Sequence, residues 1–392
     1  MSPINPKGFF NPPPPIIKSL YPVYNTGQGV AYTCISLCEY LGDEDLPVEA
    51  WFPSSDKAIC LPFVRDAFPR WAMPLIYRLP NPEKRLAKGV ERAFVRALRP
   101  GDIAYLWPGV SLETYERIRE RGNTIVTERI NCHTMYAKRL LDEEYARIGW
   151  KGSHGISESD VERECREMEL ADLVYAPNPF VVRSLQEAGV APEKILPVSY
   201  GWDPRRMRGS TCFREKEEGL TALFVGRLCV RKGIHLLLEA WKRANIKGNL
   251  LLAGAVPQDT AQQLAGPLAY PGVVLLGHSL DIGSIYRSAD VFTFGSLEEG
   301  GPMVTYEAMG CGLPVIVSPV GSSDARDGID GFVIDPHDID GWAAALRRLA
   351  EDKALRDQMG HSARERAREF TWEKVAHRRR AVLINALQQN GL

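Results

Sequence analysis

No stretch of the sequence approaches the roughly 18–20 consecutive apolar residues that cross a bilayer as a helix. The N-terminal MSPINPKGFFNPPPP also lacks an apolar core of signal-peptide length, so the expected location is cytoplasmic. Charge of one sign is missing too. The net charge of −1 excludes a globally basic nucleic-acid binder, and no nucleic-acid partner is expected. The eight cysteines include no C-x-x-C pair. Cys34 and Cys38 stand one helical turn apart, but small buried residues on an apolar helix face explain them better than half a metal site. Neither a disulfide framework nor a metal centre is expected. The loop NTGQG (25–29) lacks the third glycine of G-x-G-x-x-G and a convincing acidic residue for a ribose, which disfavours a nicotinamide enzyme.

What is present is an ordinary globular composition, 45% apolar and 25% charged, in a chain of 392 residues. That length suits about two to three domains. Strand-like runs alternate with helical stretches almost throughout, the mark of βαβ units and parallel sheets. IIKSLY (16–21), VEAWF (48–52), IAYLW (103–107), TIVTERI (124–130), LVYAP (173–177) and ILPVSYG (195–201) form a first series. The polar, aperiodic DPRRMRGSTCFREKEE (203–218) reads as a linker. LTALFVG (220–226), NLLLAG, GVVLLG, DVFTFG, VIVS and FVID form a second series, followed by helical segments over 338–351, 353–369 and 372–388. The expectation is an α/β protein of two doubly wound, Rossmann-like domains, 1–202 and 203–371, with a ligand cleft between them.

The segment EEGGPMVTYEAMGCGLPVIVS (298–318) carries the most chemistry. Glu299 falls on a glycine loop, with Gly300 and Gly301 after it. Glu307 falls about one turn inside the helix that the loop opens. Backbone N–H groups at Met303 and Val304 point out of that helix start, a ready anion site. Anion donors beside carboxylate acceptors suit a ligand with both phosphate and hydroxyls, such as a nucleotide sugar. In VGRLCVRKG (225–233), Arg227 and Lys232 follow a strand, where ligands collect in a doubly wound sheet. An isolated R-x4-K is more often a surface pair. Beside the acid segment, it reads as a diphosphate clamp. Gly27 and Gly29 allow close approach of an anion at a helix start, or simply make a tight βα turn. His133 follows the strand TIVTERI and precedes a helix, with Glu128 a weaker companion. Asp43-Glu44-Asp45 and Asp338-Ile339-Asp340 read as a turn and a helix cap, not as a metal-nucleotide D-x-D.

The chain resembles retaining glycosyltransferases of the GT-B type, in family 4. The resemblance rests on the N-terminal Gly-x-Gly loop, VGRLCVRKG, ADLVYAPN (171–178), SYGWDPRRM (199–207), the E-x7-E segment ending EAMGCGLPVI, and the tail EFTWEKVAHRR (369–379). It is strong from about residue 170 onward and loose before. It implies a GT-B fold whose last helix, 372–392, crosses back to the N-terminal domain. It also implies metal-independent transfer of a hexose-type sugar, with retention, from a UDP-, GDP- or ADP-linked donor to a hydroxyl acceptor. The acceptor would be a glycan, a lipid-linked molecule or a small molecule, and no tightly bound cofactor is implied.

By the same resemblance Arg227 and Lys232 bind the donor diphosphate and Glu307 the ribose. Glu299 with Gly300, Gly301, Met303 and Val304 holds the sugar, His133 contacts it, and Gly277 to Leu280 line the base pocket. Where the family often has E-G-F-G, this chain has Glu299-Gly300-Gly301-Pro302. Rival readings are a phosphorylase or epimerase on the same fold, and a non-catalytic nucleotide-sugar-binding or partner module. Residues 65–99 carry nine Arg or Lys against three acids, interleaved with aromatic and aliphatic residues. Such a basic amphipathic stretch lies either on an anionic membrane surface, here the cytoplasmic face, or in solvent over the core. Nothing in the sequence assigns an oligomeric state.

Overall fold

The structure, a computed structural model, describes residues 14–392 apart from 151, 210, 214–217 and 278–280. Two compact units meet in sequence at Thr127 and Glu128. The first unit is built on parallel strands β1 (Ile17–Leu20), β2 (Val48–Phe52), β3 (Val64–Asp66), β4 (Ile103–Leu106) and β5 (Thr124–Glu128) in the order β3-β2-β1-β4-β5. Ile17 stands opposite both Val48 and Ile103, and Ile103 opposite Thr124. Every residue of β1 and β4 is buried, as expected of central parallel strands covered on both faces. Lys18 within β1 is the exception in type, and Asp102 compensates its buried charge at 2.8 Å.

The helices of this unit are α1 (Gly29–Leu41), α2 (Met73–Ile76), α3 (Pro82–Ala97) and α4 (Leu112–Glu120). Both α2 and α3 fall in the stretch 65–99, read above as basic and amphipathic. Helix α3 buries Leu86, Val90 and Phe94, the i, i+4, i+8 stripe of a surface helix. Gly89 sits in that helix because the Phe68 ring occupies its side-chain space: a Cβ there would meet Phe68 Cζ at 2.1 Å.

The second unit opens with α5 (Thr134–Ile148), α6 (Glu158–Leu170), β6 (Leu173–Ala176), α7 (Pro179–Glu187) and β7 (Ile195–Pro197), with β6 and β7 paired in parallel. Then come β8 (Leu220–Val225), α8 (Ile234–Ala244), β9 (Gly248–Ala253), α9 (Gln258–Leu264), β10 (Val273–Gly277), α10 (Ile282–Arg287), β11 (Val291–Phe294), α11 (Met303–Gly310), β12 (Val315–Val317) and β13 (Gly331–Val333). Their sheet runs β10-β9-β8-β11-β12-β13, all parallel. The order reverses between β8 and β11. That switch point, at the C-terminal ends of the strands, is where such sheets leave a crevice for ligands.

Helices α12 (Ile339–Glu351), α13 (Lys353–Ala367) and α14 (Trp372–Asn390) close the chain. Asp338 caps α12 by accepting from Gly341 N, in keeping with the reading of that acidic pair. The chain passes twice through one place: Trp202 N donates to Phe370 O, and Trp372 N to Trp202 O. Beyond that crossing Arg379 of α14 forks onto the Glu128 carboxylate at 2.9 and 3.1 Å, wholly out of solvent. Tyr200 Oη donates to the same carboxylate at 2.7 Å, so Glu128 ties α14 to the segment after β7.

The described part of 203–218 is more than a tether. A 3-10 turn at Pro204–Met207 is capped by Asp203, and Arg287 of α10 donates to Met207 O and Thr211 O. Among the described residues no helix is long and apolar enough to cross a membrane.

Candidate functional site

Two loops of the second unit converge at the switch point. The first joins β8 to α8 and carries Arg227 and Lys232. Lys232 ends a 3-10 turn, Val230–Lys232, and Gly233 reverses the backbone with φ +65°. A side chain at Gly233 would strike Gly295 O at 1.9 Å, so this loop can lie directly on the end of β11. The second loop, Gly295 to Pro302, is stitched to the first: Leu297 N donates to Arg231 O at 2.8 Å and Ser296 Oγ to the same carbonyl at 3.1 Å. The result is a close ion pair between Lys232 Nζ and Glu299 Oε1. Ser296 Oγ stands 2.8 Å from that oxygen, within reach of its hydroxyl as an alternative to the Arg231 carbonyl. Arg227 lies on the same loop but is exposed, and no ion pair is recorded for it among the described residues.

Helix α11 starts immediately after. Its first turn is formed by Met303 and Val304, and Thr305 N reaches Pro302 O at 3.2 Å. One turn on, Glu307 is buried. Tyr286 Oη donates to its Oε2 at 3.0 Å, and Arg206 Nη1 stands 3.7 Å from Oε1. Burial raises the Glu307 carboxyl above the ordinary range, against the opposing pull of Arg206 and the Tyr286 hydroxyl. Arg206 falls in the stretch read as a linker, and only the folded 3-10 turn delivers it to the site.

The Glu298–Gly301 loop is gripped from its other side. Cys132 N donates to Glu298 Oε1 at 2.7 Å. Glu298 is wholly buried, and desolvation raises its carboxyl despite Arg231 3.5 Å away. Asn178 Nδ2 donates to Glu299 O at 3.1 Å and to Gly300 O at 2.6 Å, while its Oδ1 caps α7 through Phe180 N and Val181 N. Gly300 presses on the Ile130 carbonyl, which would lie 2.0 Å from any Cβ. Gly301 lies under the Tyr200 ring, whose Cδ2 would be 2.5 Å from a Cβ. An aromatic side chain is thus present beside Gly301, but it comes from Tyr200 rather than from the loop. Asn178 has the sequence signal of a cap, Asn before Pro at a helix start, although that signal does not announce its second job.

His133 is fully buried at the start of α5. Its N–H donates to Ser184 Oγ at 2.9 Å and its Nδ1 accepts from Met135 N at 3.2 Å, which leaves the ring proton on Nε2. That nitrogen stands 3.7 Å from Glu164 Oε1. Burial lowers the imidazole pKa, and the field of Glu164 only partly offsets it, so the ring is neutral at pH 7. The recorded side-chain partners of His133 are these, with Cys165, and Glu299 is not among them. Its neighbour Cys132 makes the contacts to the acid loop.

Helix α5 itself is fastened beside the site. Leu140, Tyr145, Ile148 and Trp150 pack on Val230, Leu236 and Leu297. Glu144 accepts from His235 at 2.6 Å and His337 at 3.0 Å, besides Arg147. Burial would raise the Glu144 carboxyl, but these donors outweigh it and hold it at about 2.

Gly27 and Gly29 belong to the first unit, at the turn into α1, with φ of +70° and +56°. Gly27 N donates to Asn25 Oδ1. Of the base-pocket segment, residues 278–280 lie outside the described residues. Among the described residues no group of three or more His, Cys, Asp or Glu side chains is placed to hold a metal ion.

Residues 219–352 match the family model for glycosyl transferases group 1. CapM of Staphylococcus aureus, a capsular polysaccharide biosynthesis glycosyltransferase, is 32% identical over 165 residues, which cover 39% of this chain and 43% of that protein. A D-inositol 3-phosphate glycosyltransferase of Kineococcus radiotolerans is 28% identical over 259 residues, 57% of this chain and 60% of its own. The chain therefore spans less than two thirds of the length of these relatives. Among solved structures, Anabaena HepE in complex with UDP and glucose superposes with a TM-score of 0.66 at 16% identity, covering 94% of this chain and 99% of that one. Sucrose-phosphate synthase from Thermosynechococcus elongatus gives 0.67 at 19% identity, covering 96% and 100%. At such identities the likeness is one of fold.

Proposed function

We propose, for a chain that has the GT-B glycosyltransferase fold and whose residues 219–352 belong to the glycosyl transferases group 1 family, that the switch-point site transfers a hexose-type sugar from a nucleoside-diphosphate sugar to a hydroxyl acceptor. The observation that carries this reading is the meeting of Lys232, Glu299 and the start of α11, with buried Glu307 one turn further on. A donor needs both kinds of group. Its diphosphate would take Arg227, Lys232 and the N–H groups of Met303 and Val304. Its ribose hydroxyls would donate to Glu307, and its sugar hydroxyls to Glu299.

Transfer breaks the bond between the anomeric carbon and the diphosphate oxygen, and charge grows on that oxygen. Preorganised cations and helix-start N–H groups stabilise it without reorganising. A unit-charge pair at 4 Å is worth about 4 kcal/mol at an effective dielectric of 20. Loss of one cation would thus slow transfer on the order of 10²–10³-fold. In this reading the diphosphate charge is met by these side chains and N–H groups rather than by a divalent ion. Glu299 positions the sugar instead of attacking it, and the acceptor oxygen bonds to the face that the diphosphate leaves, with retention, while the acceptor's proton passes to the leaving diphosphate oxygen.

Donor binding would also part Lys232 from Glu299, releasing the lysine to phosphate and the carboxylate to hydroxyls. A panel of UDP-, GDP- and ADP-linked hexoses, assayed for transfer and for slow donor hydrolysis, tests the proposal, with the anomeric configuration of the product read by NMR. Lys232→Ala and Glu299→Ala are each expected to abolish transfer in a folded protein. Full activity in either variant would sink the site. Donor binding without transfer or hydrolysis would favour a binding module instead.

A further inference from the structure

The first unit carries a surface that the donor chemistry does not use. Between β3 and α3 the chain makes a short 3-10 turn, Arg70–Ala72, and the single turn α2. Four large apolar side chains stand out of this knob: Trp71 is 75% exposed, Leu75 56%, Tyr77 49% and Leu79 47%. They lie within nine residues of one another, whereas the other large apolar side chains exposed to this degree are scattered over the chain. Burying four such groups normally stabilises a fold, so their joint exposure needs a partner surface to explain it.

The knob is rooted on a basic helix. Phe68, just before it, fills the notch at Gly89 of α3. Tyr77 and Lys84 line one shallow cavity of about 350 Å³ with Val23 and Leu86. With Leu86, Val90 and Phe94 turned inward, α3 presents Arg85, Lys88, Arg92 and Arg96 outward at i, i+3, i+7 and i+11. No ion pair is recorded for Arg78, Lys84, Lys88, Arg92 or Arg96 among the described residues. Of the three acids in 65–99, Glu91 is buried under Ser111 and Thr114, and Asp66 accepts from Ser55. The third, Glu83, is exposed in the first turn of α3 beside Lys84, so cations outnumber acids on the outward face.

We propose that this face docks on an anionic lipid bilayer, Trp71, Leu75, Tyr77 and Leu79 entering the interface while the α3 cations meet lipid phosphates. An apolar wedge beside a row of unpaired cations is the combination that an anionic interface rewards on both counts, and neither half alone gives stable anchoring. A second protein would have to bring its own acidic surface to the same row, and a second copy of this chain would bring cations.

The test uses the full chain and sedimentation with vesicles of 30% phosphatidylglycerol in phosphatidylcholine, against phosphatidylcholine alone. Binding is expected to the anionic vesicles only, and to fall steeply in 0.5 M salt. Each of Lys88→Gln, Arg92→Gln and Arg96→Gln should weaken partitioning about fivefold, the share of one cation near an anionic surface. Trp71→Ser with Leu75→Ser should reduce it at least tenfold while leaving the circular dichroism melting curve in place, since both side chains are already in water. Equal binding to neutral vesicles, or unchanged binding by the Trp71/Leu75 double variant, would overturn the proposal. So would a sedimentation-velocity shift to a dimer that the double variant abolishes.

Discussion

Two strand-to-helix turns in this chain each carry a pair of glycines, for opposite reasons. At Gly27 and Gly29 the backbone is left-handed and the space is largely open: an added Cβ at Gly29 meets nothing within 4 Å, and at Gly27 only the end of Ile59. Those glycines serve conformation. At Gly300 and Gly301 φ is not in the left-handed region, but carbonyl and ring occupy the space where a side chain would start. Those glycines serve contact. A turn of the first kind can be altered at the cost of local strain. One of the second kind is part of a packed wall, so altering it moves the groups that wall supports, Glu299 among them.

The sharpest way to break the contrast is Gly300→Ala. Its methyl overlaps the Ile130 carbonyl, a backbone atom that cannot swing aside, so the loop must shift. A shift near 1 Å of a positioned group costs about 10²-fold in rate. A kcat within threefold of the parent protein would refute the packed-wall account. Asn178 comes next. Asn178→Asp keeps an oxygen for Phe180 N and Val181 N, so α7 stays capped, but a carboxylate cannot donate to Glu299 O and Gly300 O. The aspartate variant is expected to melt like the parent yet lose about tenfold in kcat at similar KM. Asn178→Ala should lose the same activity and also about 1 kcal/mol of stability with the cap. Parent-level kcat in the aspartate variant would reduce Asn178 to a cap.

Glu144 probes the mount rather than the wall. Its carboxyl is lower in the folded protein than its ordinary 4.5, so the unfolded chain binds the extra proton in acid. The stability it contributes is therefore complete above about pH 5 and fades as pH falls toward 2. Glu144→Gln should cost about 2 kcal/mol at pH 7, the worth of hydrogen bonds to a charged group, and progressively less in acid, by urea unfolding at each pH. A difference that does not shrink in acid would contradict the charge-based account. Smallest is Gly29→Ala, where the left-handed backbone costs about 1 kcal/mol and nothing collides. A loss of 3 kcal/mol or more there would erase the distinction between the two turns.

How much of this could be read in the sequence follows the same division. The βα alternation and the strand ends were legible because parallel strands leave local patterns, and Lys232 and Glu299, singled out on two strand-end loops, meet as an ion pair. Helix α3 was not recognised as a helix, since its dense charge hid a three-residue apolar stripe. Helix α6, ESDVERECREMEL, has no legible apolar stripe for the same cause: Glu164 and Glu167, two of its buried residues, are acids. Arg206, Asn178 and Tyr200 were invisible as site residues because their roles arise from chain segments about 100 residues apart. Nothing in a single sequence marks such pairs. The departure at Gly301 was visible from the resemblance, but the ring that stands over it was not.

That ring has an engineering consequence. Tyr200 is held by Glu128, and Glu128 by Arg379 near the end of the chain. The loop at 298–302 is therefore not a detachable cassette. Grafting a relative's loop with an aromatic at position 301 would place two rings in one volume unless Tyr200 were reduced in the same step. Shortening α14 before Arg379 would release Tyr200 from the opposite direction. Exchange of this loop would have to move three distant segments together, and a library that varies only the loop would sample mostly broken walls.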